Sequence, residues 1–380
     1  MQAQTSPRQA NSVLAWVIAG FGVALMLLLF LSFMADSRRA PASEVAGATS
    51  SRVAYLEFGL SADTLWLADA TAPAERKEVL SVPHAVEYGI VPSISPDGRR
   101  FAYTALPEGM ARPKPDSPAG LWVAGFGAGE TPRLLAEDVD LLVAPVWTPS
   151  GESLVYRRST AEAHVLAMTN TEAGEERIIA YSETEALFPV GFGEEGASLY
   201  FVGLSERGGT RLYAVTLESG VEREVATLST GMTRDWALAP DASRVAYLEI
   251  AFTEAEVASR ASVLDVASGV VVPVTSAGEV ALGPAWSDSG ELAVGVFNQG
   301  TGEASLMLVD GVSRWRVTGP DSGFDVPLAY DTTADAYLVR TFENDSLTAP
   351  GRSTLVLVAS DGERRTIAEG EVTLVGWIHP

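Results

Sequence analysis

The chain has 380 residues, 47% of them hydrophobic, so it can bury a sizeable core and does not have the composition of a disordered polymer. Forty-nine acidic residues against 26 basic ones give a formal charge of −23, which disfavours nucleic acid and anionic lipid surfaces as partners, although such a surface also simply keeps a protein soluble. The absence of cysteine excludes disulfides, thiolate metal sites, cysteine nucleophiles and a lipoprotein anchor, and the histidines His84, His164 and His379 lie too far apart for a paired-histidine zinc motif, so no metal and no cofactor is expected.

Residues 1–12 read as a short tail. From Val13 to Ala35 the sequence VLAWVIAGFGVALMLLLFLSFMA carries no charge, and Trp16 sits near one end where an indole suits a membrane interface. As a helix rising about 1.5 Å per residue it would span a hydrocarbon core of about 30 Å. A secretory signal has a shorter apolar region of roughly 7–15 residues, so an uncleaved anchor is favoured over cleavage after Ala42. The flanking charges, Arg8 on one side and Arg38 and Arg39 offset by Asp36 on the other, give almost no orientation preference. Short-tailed single anchors usually export the domain that follows, so the expectation is a single-pass membrane protein with its domain on the extracytoplasmic side. Residues 36–51 are small and polar and read as a flexible tether.

Residues 52–380 repeat one pattern: a short apolar stretch, often ending in an aromatic, then a tight turn with Pro, Asp, Ser or Gly, then an alternating strand. The copies span 91–105, 144–158, 189–203, 236–250, 283–297 and 327–341, and a partial copy, VGWIHP, occupies 375–380. Each is followed by two further strand-like runs, such as those within 211–228 and 353–370, giving four strands per unit at the spacing of propeller blades. SRVAYLEF at 51–58 matches the second strand of the other copies, while the final copy ends after what would be a first strand. Joining the two completes a further blade and removes both open sheet edges. The expected fold is all-β, a seven-bladed β-propeller with six blades as the alternative, behind one N-terminal transmembrane helix.

The turn Ser95-Pro96-Asp97-Gly98 followed by Arg99-Arg100-Phe101-Ala102-Tyr103, and its counterparts around the ring, resemble the TolB-like propeller repeat family. The resemblance implies the propeller fold and says little of function. Compared with TolB itself, this sequence is expected to add an anchor, to lack the separate N-terminal domain and to have one more blade. Related propellers precede serine-peptidase domains of the prolyl oligopeptidase type, but no G-x-S-x-G elbow is present, which argues against a peptidase.

The recurring Asp97-Gly98, Ser150-Gly151, Glu195-Gly196 and Ser289-Gly290 pairs read as turn formers, since a positive φ or an Asx hydrogen bond is needed there. The inner-strand aromatics Trp147, Phe192, Trp236, Trp286, Tyr330 and Trp377 read as packing between neighbouring sheets rather than as stacking platforms. Functional residues are sought instead on one face. There the second-to-third strand connections 105–120, 250–262 and 340–353 are long, and they carry Arg112, Lys114, Glu254, Glu343 and Asp345.

Every blade-to-blade connection on that face contains acid: Glu87; Asp138 and Asp140; Glu183 and Glu185; Asp235; Glu279; Asp321 and Asp325; Glu371. A ring of carboxylates at the channel mouth would attract a cation or a basic segment of a partner, though a chain this acidic places one in most loops by chance. No catalytic constellation stands out. The favoured expectation is a non-enzymatic protein-binding or scaffold module, a subunit or accessory factor of a membrane or envelope complex. The alternatives are a hydrolase or lyase using channel-mouth carboxylates, and a propeller that senses a ligand or cation.

Overall fold

The computed structural model describes residues 51–378 apart from positions 128, 161, 206–207 and 253–256. The apolar segment 13–35, most of the tether and Glu254 lie outside the described residues. Among the described residues no helix is long and apolar enough to cross a membrane.

Each repeat folds into one four-stranded antiparallel sheet, and seven such sheets form the ring. Blade 1 takes β1 (Arg52–Glu57), β2 (Ala62–Asp69) and β3 (Arg76–Pro83). Blade 2 is β4 (Val91–Ile94), β5 (Arg100–Ala105), β6 (Pro118–Gly125) and β7 (Arg133–Asp140). Blade 3 is β8 (Val146–Trp147), β9 (Ser153–Ser159), β10 (His164–Asn170) and β11 (Glu176–Ser182). Blade 4 is β12 (Glu185–Phe192), β13 (Ser198–Ser205), β14 (Thr210–Thr216) and β15 (Glu222–Ser229). Blade 5 is β16 (Met232–Leu238), β17 (Arg244–Phe252), β18 (Val257–Asp265) and β19 (Val271–Pro273). Blade 6 is β20 (Glu279–Trp286), β21 (Leu292–Asn298), β22 (Ala304–Asp310) and β23 (Ser313–Thr318). Blade 7 is β24 (Phe324–Asp331), β25 (Ala336–Phe342), β26 (Ser353–Ala359) and β27 (Arg364–Glu369), after which β28 (Val372–Ile378) returns to blade 1 as its innermost strand.

Burial explains the composition of each position. Second strands such as β5, β21 and β25 are covered by a neighbouring blade on both faces and read as nearly unbroken apolar runs. Outer strands such as β15 and β23 form the rim and are mostly exposed. The first-to-second strand turns follow the expected chemistry: Ser95 Oγ donates to Asp97 Oδ1 at 2.6 Å, Asp97 Oδ1 also accepts from Arg99 N at 3.1 Å, and Gly98 takes a φ of 66°. Two copies lack the glycine, and there Ala242 and Asp335 adopt the left-handed conformation instead.

The inner aromatics pack between blades, and two of them also bond across. Trp147 Nε1 donates to the Ser93 carbonyl of blade 2 at 3.3 Å, and Trp286 Nε1 to the Ala237 carbonyl of blade 5 at 2.9 Å. The ring closes as the repeat pattern requires, with β28 antiparallel to β1 from Arg52 opposite Ile378 to Glu57 opposite Val372.

One expected loop is not a loop. β17 and β18 stay paired as far as Phe252 opposite Val257, so most of 250–262 is an extended hairpin. The acidic run TEAE at 253–256 suggests a long irregular connection in the sequence, but the alternating residues on either side continue the ladder.

Candidate binding face

Antiparallel order fixes which connections share a face. Second-to-third strand loops and blade-to-blade connections emerge at one end of every sheet, the loop face; first-to-second and third-to-fourth turns emerge at the other, the turn face. On the loop face the connections 106–117 of blade 2 and 343–352 of blade 7 stand out, because the other hairpin loops there have only four or five residues. Arg112, with a positive φ, and Lys114 are both exposed on the first. On the second, Arg352 Nε pairs with Glu343 at 3.2 Å, and Asp345 accepts the Gly323 amide at 2.5 Å, tying this loop to the connection between blades 6 and 7.

The acidic ring is not a set of open carboxylates. Glu185 begins β12 and is buried; its Oε1 accepts from Arg211 Nε at 3.1 Å and its Oε2 from the Tyr213 hydroxyl at 2.9 Å. It crosses the sheet over Gly203, where a Cβ would come within 2.7 Å of Glu185 Oε2 and 2.8 Å of the Tyr213 ring. Burial and the neighbouring carboxylate push the Tyr213 phenol up, so it stays a donor. Asp325, the second residue of β24, is 1% exposed and takes two bonds from Arg364, at 2.8 and 2.9 Å, and one from Thr341 Oγ1 at 2.6 Å. Glu279 begins β20, pairs with Arg316 and accepts the Ser276 amide at 2.8 Å. Asp235 lies inside β16 rather than in a connection, beside Arg234 at 3.5 Å. Asp140 ends β7 and pairs with Arg157 of blade 3. A carboxylate on a closely packed ring is stable when an arginine neutralises it. The arginine comes from the third or fourth strand of the same blade for Glu185, Glu279 and Asp325, from the next blade for Asp140, and from the preceding residue for Asp235.

The remaining acids are exposed. Glu183 accepts from the Tyr181 hydroxyl at 3.1 Å, whereas Glu87, Asp138, Asp321 and Glu371 have no ion-pair partner among the described residues.

A cluster at the junction of blades 2 and 3 brings together residue types associated with nucleophilic catalysis, in the wrong order. Ser159 Oγ donates to Asp140 Oδ2 at 2.7 Å and lies 2.8 Å from His164 Nδ1. A catalytic triad needs the imidazole between hydroxyl and carboxylate so that it can take the hydroxyl proton. Here the hydroxyl sits in the middle and its proton is spent on the acid. Beside it the Arg157 guanidinium lies 4.4 Å from the centre of the Phe188 ring, whose other neighbour is Trp236 at 5.1 Å. Burial lowers the Arg157 pKa against the pull of Asp140. Among the described residues no group of three or more His, Asp or Glu side chains is placed to hold a metal ion.

Two groups whose burial the sequence does not reveal are His84 and Arg340. His84 lies in the connection to blade 2 and faces Asp63 of β2 at 3.0 Å, and Arg340 lies in β25. His84 belongs to no motif, Arg340 falls inside the repeat copy 327–341, and only the assembled sheets show their surroundings.

No known family model matches the sequence, and no curated protein sequence does. Solved structures do match in shape. TolB from Acinetobacter baumannii superimposes over 87% of this chain and 67% of its own, with a TM-score of 0.52 at 15% identity. The fold is TolB-like. A prolyl endopeptidase matches with a TM-score of 0.60 at 14% identity, over 98% of this chain, which spans 56% of the endopeptidase. Oligogalacturonate lyase from Vibrio parahaemolyticus matches with a TM-score of 0.56 at 11% identity, over 85% of this chain and 87% of its own. At such identities the likeness concerns the fold, and a fold shared with a peptidase and a lyase selects no activity.

Proposed function

We propose that this chain is a membrane-anchored, non-enzymatic propeller that binds a protein partner through its loop face, as a subunit or accessory factor of a membrane or envelope complex, with the propeller on the extracytoplasmic side. The observation that carries the reading is the opposition of the two faces. The polypeptide enters at Ser51, next to the end of β28, and Ser51 Oγ donates to Asp331 at the turn-face end of β24 at 3.1 Å. An anchor in segment 13–35 would therefore approach from the turn face and leave the loops 106–117 and 343–352 pointing away from the bilayer. A rigid ring carrying long connections on its outward face suits capture of another protein, and the exposed acids Glu87, Asp138, Asp321 and Glu371 favour a basic surface on it. Nucleic acid is disfavoured by the same charge. The hydrolase or lyase reading loses support because the carboxylates nearest the inner strands are held by arginines.

The test is a mild-detergent pull-down of the full-length protein with mass spectrometry, beside a variant in which 106–117 and 343–352 are replaced by short turns. The expected result is one stoichiometric partner that is lost from the loop variant. A monomer with no partner, or one retained by the variant, would overturn the reading.

A further inference from the structure

Among the described residues, most buried charges of this propeller have an opposite charge or several hydrogen-bond donors beside them. Asp63 faces His84, Glu185 faces Arg211, Asp325 faces Arg364, and Asp331 accepts from Ser51 Oγ and the Thr333 amide. The remaining buried charge is Arg340, only 6% exposed. It sits in β25 between Val326 and Leu355, flanked on its own face by Leu338 and Phe342, which belong to the apolar core shared by blades 6, 7 and 1. Its hydrogen bond among the described residues is a long one, from Nη2 to Thr373 Oγ1 at 3.3 Å, and its Nε is sealed from solvent with no partner. Among the described residues no carboxylate pairs with it: strand alternation puts Thr341 and Asp325 on the opposite face of blade 7, where Arg364 engages both. Burial pushes its pKa down to about 10, which leaves it charged at neutral pH.

An uncompensated guanidinium in an apolar setting is among the least favourable arrangements a fold can hold. The half-buried arginines Arg157 and Arg364 each have an acid, Asp140 and Asp325. Thr373 lies on β28, the blade 1 strand that borders the channel. We propose that Arg340 and Thr373 form a carboxylate-binding site where blades 7 and 1 meet beside the channel, and that a ligand's carboxylate supplies the missing counter-charge. The planar fork of arginine matches the two oxygens of a carboxylate, and the threonine hydroxyl offers a further donor. One cation balances a monoanion, whereas a phosphate dianion would bring excess charge into a chain of net −23. The carboxylate belongs either to a free organic acid or to a polypeptide. The site stands whether or not the loop face binds a protein.

The experiment is calorimetric titration of the full-length detergent-solubilised protein with acetate, with glucuronate, with tetra-alanine bearing a free C-terminus, with its amide, and with inorganic phosphate. The expected result is saturable binding of a carboxylate probe, weakened tenfold or more in Arg340→Met and in Arg340→Lys, which keeps the charge and loses the fork. Binding of the free acids assigns the source to a small organic acid. Binding of the peptide but not of its amide or the acids assigns it to a polypeptide. Thr373→Val, which leaves the charge in place, is expected to weaken the same binding severalfold and serves if Arg340→Met does not fold. No saturable carboxylate binding by the wild type, binding unchanged in Arg340→Lys and Thr373→Val, or a preference for phosphate would each overturn the assignment.

Discussion

At the scale of single residues, His84 shows how the fold imposes a protonation state. Its Nδ1 faces the Ala85 carbonyl at 2.8 Å and its Nε2 the Asp63 carboxylate at 3.0 Å. Both partners are acceptors, so both nitrogens carry hydrogen and the ring is held as the cation. Burial is the strongest influence and opposes the charge. The hydrogen bonds to Asp63 and Ala85 and the charge of Asp63 together outweigh it, and the pKa ends above its ordinary value. Asp63 also accepts from Gly59 N at 3.1 Å and Ile90 N at 2.8 Å, so the pair fastens the blade 1 hairpin loop to the connection into blade 2. A group whose folded pKa is raised contributes its full stability below the unfolded value of about 6.5 and loses it as pH rises through the folded value. Melting temperature is therefore expected to fall as pH rises above ~6.5, and His84→Gln, which cannot titrate there, to flatten that slope. Parallel pH profiles for wild type and variant would contradict the pairing. Nothing in the sequence marks this pair: the two residues are 21 positions apart and meet only because β2 runs back beside the connection.

At the scale of elements, the blades are joined by a device that recurs. Arg100, at the start of β5, reaches into blade 3: its Nη2 donates to the Gly151 carbonyl at 2.7 Å and its guanidinium lies 5.3 Å from the centre of the Trp147 ring. Arg244, at the start of β17, does the same to blade 6, with Gly290 at 2.9 Å and Trp286 at 4.7 Å. A cation–π contact and a charge-assisted hydrogen bond together contribute roughly 1–2 kcal/mol at partly exposed sites. Arg100→Met and Arg244→Met are each expected to cost about that much in denaturant unfolding. The two junctions share no partner, so the double variant should show the sum within ~0.5 kcal/mol. A much larger combined loss would mean that the junctions are coupled through the ring. The tryptophans and turn glycines of this device were legible as repeats because one spacing recurs in every blade. The arginines were not, since the residue each one meets lies 46 to 51 positions downstream in another sheet. The acids of the loop face show the same limit. Their place near the inner strands was readable, whereas the arginines that neutralise Glu185, Glu279 and Asp325 come from third and fourth strands.

At the scale of the whole molecule, the ring depends on one strand supplied from the far end of the sequence. That was legible because the two ends of the repeat region match complementary parts of the repeat, the second strand at 51–58 and the first at 375–380. β28 carries Val372, Leu374, Val375 and Trp377, all at most 5% exposed, into the cores shared with blades 7 and 2. Burial of each such side chain is worth about 1.5–3 kcal/mol, so the strand as a whole contributes on the order of the entire net stability of a domain, ~5–15 kcal/mol. Its removal would also leave the β1 backbone as an unpaired edge. Deleting residues 371–380 is therefore expected to abolish the cooperative melting transition and to cause aggregation, not merely to lower the melting temperature. A peptide of that sequence added in trans is expected to restore a soluble ring by taking the vacant edge. The matched control shortens the loop 106–117 by about the same length. Loop closure depends weakly on length, so that variant should melt within ~1 kcal/mol of the wild type. If the truncated chain instead melts cooperatively near the wild-type temperature, the seven sheets are held by their face-to-face packing alone, and the returning strand is dispensable to the ring.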